Sequence, residues 1–189
     1  MNLSLISLDP ARFHSITKRD FFKKVLSNIH LLLSRNFLVK INVVVINGIN
    51  EDEILDFVEW TKRLPLHIRF IEFMPFSGNQ WDHAKVFSYQ NILRTIGSRY
   101  DFAKLTDEKS STAKAYRVKG FEGCFGVIST MTDPFCGDCN RLRLTADGKL
   151  RNCLFSKQET DLLTPLRMGK PIRPLILQTV KAKDEKHGG

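Results

Sequence analysis

Three cysteines stand in the pattern Cys136-x2-Cys139-x13-Cys153, and Arg141-Leu142-Arg143 follows the second almost at once. A Cys-x2-Cys pair puts two thiolates on one tight knuckle, close enough to ligate a single metal centre. Gly137 and Asp138, both turn formers, fill the gap. The third thiolate returns through a hairpin: Arg141–Thr145 and Lys149–Phe155 flank Ala146-Asp147-Gly148, and Asp-Gly is among the strongest short hairpin signals. Cys153 is thereby expected beside the residues just after Cys139. Three ligands fall short of the four that close a structural zinc site, whereas an iron–sulfur cubane on three cysteines keeps one iron open to a substrate. His187 could supply a fourth zinc ligand, so the spacing establishes a metal site and leaves its identity open. Cys124, in an apolar run, reads as a packed thiol.

Side chains alternate along a strand, so Arg141 and Arg143 are expected on the face that Cys139 shares, with Leu142 and Leu144 on the other. Two guanidiniums beside an open iron suit a phosphorylated or carboxylated ligand, because arginine presents a planar fork of donors. Solvated arginines on a half-buried strand are the plainer alternative.

The 189 residues carry a net charge of +9, which calls for an anionic partner such as nucleic acid, a phosphorylated metabolite or an acidic protein. The cations are scattered, with a loose concentration at Lys170, Arg173, Lys181, Lys183 and Lys186. No RNA-recognition signature, zinc-finger spacing or basic zipper accompanies them, so nucleic acid is not the expected partner. Four unevenly spaced cysteines argue against a disulfide framework. No apolar run approaches the roughly eighteen residues of a membrane span, and the N-terminus lacks the basic and apolar regions of a signal peptide.

The elements that must position these groups begin as strand–helix units. Asn2–Ser7 reads as a strand and Phe21–Ser34 as a helix. Lys40–Ile46 is β-branched and apolar, like a strand buried on both faces. Asn50 is expected to cap a helix over residues 51–62, and His67–Phe73 forms a third strand. Such units predict a parallel sheet, and three of them do not close a barrel. Beyond Phe76 the pattern changes: a helix at Ser88–Ile96, a polar loop at Asp107–Thr112, strands at Ala115–Val118 and Phe125–Thr130, and helix from Gln158 broken near Gly169-Lys170-Pro171. The natural cut gives domains 1–76 and 77–189. Lys40, in its apolar strand, needs an edge position, an anion or a carboxylate such as Glu72.

Phe135-Cys-Gly-Asp-Cys-Asn-Arg-Leu-Arg-Leu-Thr-Ala-Asp-Gly-Lys-Leu with Asn152-Cys-Leu-Phe resembles the C-terminal signature of GTP 3′,8-cyclases, radical S-adenosylmethionine enzymes of molybdenum-cofactor biosynthesis. Val39-Lys-Ile-Asn-Val-Val-Val-Ile, Gly48-Ile-Asn-Glu-Asp-Glu, Arg69-Phe-Ile-Glu-Phe-Met-Pro-Phe and Ser110-Ser-Thr-Ala-Lys-Ala-Tyr resemble that family too, the last its animal members. The resemblance runs to about Leu163 and then thins. It implies an α/β chain: the C-terminal half of an incomplete TIM-like (βα) barrel, followed by an α+β cluster-binding domain. It also implies [4Fe–4S] ligands at Cys136, Cys139 and Cys153, and GTP contacts at Lys40, Arg69, Arg141, Leu142 and Arg143. Ser4 and Met74 match S-adenosylmethionine contacts. In the family's reaction a 5′-deoxyadenosyl radical takes hydrogen from the ribose of GTP, and the sugar radical closes on guanine C8. The product passes to a cyclic pyranopterin monophosphate synthase. Members work in the mitochondrial matrix of eukaryotes or the cytoplasm of bacteria.

The radical-generating cluster of this family sits on Cys-x3-Cys-x2-Cys, a spacing absent from the 189 residues. The family's Ser-Leu-Asp-Ser run reads Ser4-Leu-Ile-Ser7. The strand Asn2–Ser7 matches mid-barrel, so the chain is expected to be a partial gene model or splice product. Gly188-Gly189 resembles the family's terminal tail, but the lysine-rich segment before it suggests a premature end. No catalytic residue is assigned, and this chain alone is expected not to turn over GTP. Exposed strand edges make a homodimer an expectation. Two other readings stand beside the cyclase: a non-catalytic GTP-binding or regulatory isoform, and a zinc-ribbon-like binding module.

Overall fold

In Val39–Val45, Val39, Ile41, Val43 and Val45 share one parity and Lys40 and Asn42 the other. The structure, a computed structural model that describes residues 1–76 and 78–184, turns this into β2 (Val39–Val45) with the first set buried, Lys40 exposed and Asn42 half-buried. The strand is therefore covered on one face, not both. The helices of this part pack against that face alone: Phe13, Ile29, Phe57, Val58, Ile92 and Ile96 meet Ile41, Val43, Ile68, Phe70 and Phe125 in a single core.

β1 (Asn2–Ser4) and β3 (Leu66–Glu72) flank β2 in parallel, with Asn2 opposite Lys40, Lys40 opposite His67 and Asn42 opposite Arg69. The connections are α1 (Pro10–Thr17), α2 (Phe22–Ser34) and α3 (Ile54–Trp60), the last entered through a 3-10 turn at Glu51–Glu53. Sequence patterning misses α1, although Asp9 and Pro10 are a start signal: the Asp9 carboxylate accepts from Arg12 N at 2.6 Å, and proline suits the first turn. Asn50 does not cap a helix with its side chain. Its Oδ1 accepts from Ile46 N at 2.8 Å, and its Nδ2 donates to Ile6 O and Val44 O, so it laces the exits of β1 and β2 together.

The sheet continues past residue 76. α4 (Tyr89–Gly97), capped by Ser88, leads to β4 (Phe102–Lys104), β5 (Lys114–Val118) and β6 (Cys124–Ile128). β6 lies parallel to β3, while β5 and β4 run antiparallel, giving the order β1-β2-β3-β6-β5-β4. Because these strands join the first sheet, the compact units divide at Asp133/Pro134 rather than near residue 76.

The second unit holds a three-stranded antiparallel sheet of β7 (Arg143–Leu144), β8 (Lys149–Arg151) and β9 (Thr160–Asp161). It also holds α5 (Leu163–Arg167) and α6 (Arg173–Lys181). The helix expected from Gln158 therefore starts only after a short strand, and it breaks around Gly169, as the glycine and Pro171 suggest. His187, Gly188 and Gly189 lie outside the described residues, as does Ser77. No described helix is long and apolar enough to cross a membrane.

Glu72, the last residue of β3, is fully buried on the core side, level with Val45. One carboxylate oxygen accepts from Tyr89 N at 2.9 Å and from the Thr132 hydroxyl; the other accepts from Met131 N at 2.7 Å and Thr132 N at 3.0 Å. It is thus no counter-ion for Lys40, which sits on the opposite face. Glu72→Ala strands these donors in a dry site. Urea denaturation should show a loss of about 3 kcal/mol, and a change below about 1 kcal/mol would contradict the clamp.

Candidate functional site

In the second unit, the chain after Pro134 makes a 3-10 turn at Cys136–Asp138, closed by Cys139 N donating to Cys136 O at 3.1 Å. Cys139 itself is extended, and Arg141 and Leu142 carry the chain into β7. The hairpin turn is the Asp-Gly one: Gly148 has φ +77°, a conformation that favours glycine, and its N–H donates to Thr145 O at 3.0 Å. Thr145 and Lys149 hold the Asp147 carboxyl well down, to about 2. Arg143 pairs with Arg151 in register, so two residues further along each arm Cys153 comes level with Arg141. β8 ends at Arg151, however, and residues 152–155 turn away from the ladder.

Lys183, just after α6, locks this end of the hairpin. Its ammonium donates to Asn152 O at 2.8 Å, Arg141 O at 3.0 Å and Cys139 Sγ at 3.5 Å. The Asn152 amide in turn donates to Ala182 O at 2.8 Å at the end of α6. Arg141 reaches Cys139 Sγ at 3.9 Å and lies over the Phe135 ring at 5.5 Å. Burial pushes the Cys139 thiol up, but the Arg141 backbone N–H, the Lys183 charge and the hydrogen bonds from Lys183 and Arg141 outweigh it, and the net shift is downward. That environment favours the thiolate, the form that binds metal.

Cys136, Cys139 and Cys153 are free, half-buried thiols. Among the described residues no three His, Cys, Asp or Glu side chains are gathered closely enough to cage one metal ion. A cubane attaches each cysteine to a different iron, so its thiolates need not meet around a point. The donor set, three thiols with cations and N–H groups at Cys139, fits such a cluster chemically. Arg141, Leu142, Arg143 and Leu144 are all exposed, so neither face of this stretch is buried. Cys124 sits half-buried in β6, where burial raises its thiol.

The remaining predicted residues lie on the open face of the first unit's sheet. Lys40 and Asn42 on β2 stand beside His67 and Arg69 on β3, with Asn2 and Ser4 on β1 beyond them. Arg69 donates to Asn2 Oδ1 at 3.0 Å, and burial draws its pKa down. His67 is pushed down to about 4 by burial first, then by Lys40 and Arg69, and is neutral at physiological pH. Ser4 is level with Arg69, whereas Met74 lies two residues beyond the end of β3, its carbonyl accepting from Asn79 Nδ2 at 2.7 Å. A cleft of about 640 Å³ on this unit lies elsewhere, among helix residues including Phe22, His30 and Trp60. Sequence reasoning overlooks Asn42, His67 and Lys183. Strand alternation places the first two on the Lys40–Arg69 face, but nothing local ties Lys183 to a cysteine 44 positions earlier.

Residues 66–189 match the family model described as Molybdenum Cofactor Synthesis C. Molybdenum cofactor biosynthesis protein 1 of Mus musculus is 46% identical over the whole of this chain, which covers 30% of that protein. The mitochondrial GTP 3′,8-cyclase of Arabidopsis thaliana is 40% identical, again over the whole chain and 50% of the relative. The GTP 3′,8-cyclase of Syntrophomonas wolfei is 43% identical over 99% of the chain and 59% of the relative. The chain thus spans about a third of the animal relatives and just over half of the bacterial one.

His67 binds its proton more weakly folded than unfolded, so its contribution to stability is lost as pH falls from about 6.5 towards 4. His67→Gln should remove this loss, making the chain about 2 kcal/mol less acid-sensitive between pH 7 and pH 4, after allowance for solvent screening. Denaturant titrations at the two pH values measure it. Lys183→Met should lower the second unit's stability by about 1–2 kcal/mol, read by hydrogen exchange at Cys139–Arg141 and Asn152.

Proposed function

The chain belongs to the Molybdenum Cofactor Synthesis C family, and on that premise we propose that it is the GTP-side portion of a GTP 3′,8-cyclase. The observation that carries this reading is Cys139, whose sulfur is contacted by Lys183 and Arg141 next to the exposed Arg141–Arg143 stretch, an environment that lowers its pKa. In it, Cys136, Cys139 and Cys153 hold a [4Fe–4S] cluster. When bound on three cysteines, such a cluster offers one iron with an open coordination position to a substrate atom.

The protein's own residues bind and orient an anionic nucleotide. Arg141 and Arg143 are exposed beside the cysteine knuckle, where their guanidiniums meet the nucleotide, and the Leu142 backbone between them completes that contact. Lys40 and Arg69 supply cations on the open face of the first unit, where no described carboxylate pairs with Lys40. Ser4, with its exposed hydroxyl, and Met74, half-buried after β3, are assigned to S-adenosylmethionine. The Cys-x3-Cys-x2-Cys ligands of the radical-generating cluster are not among these 189 residues, so no radical step is assigned to them. The parallel strands β1, β2 and β3 are taken as part of a TIM-like barrel, and the second unit as the cluster domain. A homodimer, hand-off to a cyclic pyranopterin monophosphate synthase, and a mitochondrial site like that in the Arabidopsis relative's name belong to the same reading.

Anaerobic purification with iron, sulfide and zinc analysis tests the core of it. About four irons and matching sulfide per chain are expected. Cys136→Ser, Cys139→Ser and Cys153→Ser should each lose most of the iron, and Cys124→Ser should keep it. Stoichiometric zinc without sulfide would sink the reading in favour of a zinc module. Incubated alone with GTP, S-adenosylmethionine and a reductant, the 189-residue chain should give no cyclised product, and robust turnover would show that the Cys-x3-Cys-x2-Cys ligands are dispensable.

A further inference from the structure

Four buried side-chain polar atoms have no hydrogen-bond partner among the described residues: Asn42 Oδ1, His67 Nε2, Arg69 Nε and Glu53 Oε2. Glu53 Oε2 lies 3.0 Å from the Arg12 guanidinium and so has its charge answered. The other three are neighbours, on adjacent positions of β2 and β3 and on the face that carries Lys40. Natural proteins rarely leave buried polar atoms unmatched, and three together on one open sheet face mark a place where a partner's polar groups belong.

Their chemistry narrows the partner. Arg69 Nε can only donate, and Asn42 Oδ1 can only accept. His67 Nε2, on a neutral imidazole, can do either. An ionised phosphate accepts but does not donate, so it would satisfy Arg69 and leave Asn42 unmatched. A pair of sugar hydroxyls donates and accepts at once and can satisfy all three. A glycine on the neighbouring strand lets the imidazole lie where it does. Gly126 stands opposite Arg69 on β6, and a Cβ there would come within 3.0 Å of His67 Nε2 and 3.3 Å of Ala113 Cβ, so the glycine makes the room that the imidazole occupies.

We infer that Asn42 and His67, with Arg69, form a subsite for the ribose hydroxyls of a nucleotide whose phosphates are drawn by Lys40. This rests on the nucleotide-binding reading above and adds to it a group that reads the sugar rather than the charge. Asn42 and His67 act here as binding residues, not catalytic ones.

Calorimetry with the reconstituted 189-residue chain tests it, using GTP, 2′-deoxy-GTP, 3′-deoxy-GTP and inorganic tripolyphosphate as probes. The unaltered protein should bind GTP about tenfold more tightly than at least one deoxy analogue, an arm that needs no variant. Asn42→Val and His67→Phe should erase that ratio while leaving tripolyphosphate affinity within about twofold. If GTP and tripolyphosphate bind but the deoxy analogues bind equally well, the subsite is overturned and the nucleotide reading stands. If both variants keep the tenfold ratio, or weaken tripolyphosphate as much as GTP, the subsite is likewise overturned. If neither GTP nor tripolyphosphate binds, both the subsite and the nucleotide reading fall.

Discussion

The parallel ladder between β2 and β3 is the constraint on which the first unit depends. Seven residue pairs run from Val39 opposite Leu66 to Val45 opposite Glu72. Side chains in a strand alternate with period two, so a slip of one residue would drive Lys40 or Arg69 into the core and turn Ile41 or Phe70 outward. Burying an unpaired cation is far costlier than any gain from the ladder, and the register is therefore fixed by its own side chains. The same register puts Lys40, Asn42, His67 and Arg69 in one array.

Glu72 extends that order beyond the ladder. As the last residue of β3 it faces the core, where it gathers the first amide of α4 and the turn at Met131–Thr132. Lys114 answers from β5 by pairing with Asp133, the residue before Pro134. One carboxylate and one ammonium thus hold the segment that leads from the sheet to the cysteine knuckle. In the second unit, Lys183 and Asn152 have the equivalent task, exchanging hydrogen bonds between the end of α6 and the open end of the hairpin. Both are polar locks placed where strands stop and loops begin, where apolar packing alone cannot specify one path.

The face opposite the core is unusual for a parallel arrangement, since such sheets are ordinarily covered on both sides. Here the helices pack on one side only, and the other carries cations and a neutral histidine. The polar residues make sense as partners for something that also bears polar groups. That links the fold to the proposed chemistry: the ladder which stabilises the unit also spaces its binding groups.

Much of this is legible in local pattern. The Cys-x2-Cys knuckle, the Asp147-Gly148 turn and the main strands follow from spacing and turn chemistry, because each depends on residues within one or two turns of the chain. The departures share a physical reason. Lys40–Ile46 looks buried on both faces when apolar content is weighed above alternation, and Asn50 looks like a cap because its lacing to Ile6 lies 44 positions away. A boundary near residue 76 ignores that β6 returns to pair with β3. Strand partners and lysine–thiol contacts are long-range facts. The sequence by itself determined which residue types could do chemistry and the local turns that present them. Only the tertiary structure decided that Asn42 and His67 share a face with Lys40 and Arg69, and that Lys183 reaches Cys139, because sheet register and helix docking depend on the packing of the whole unit.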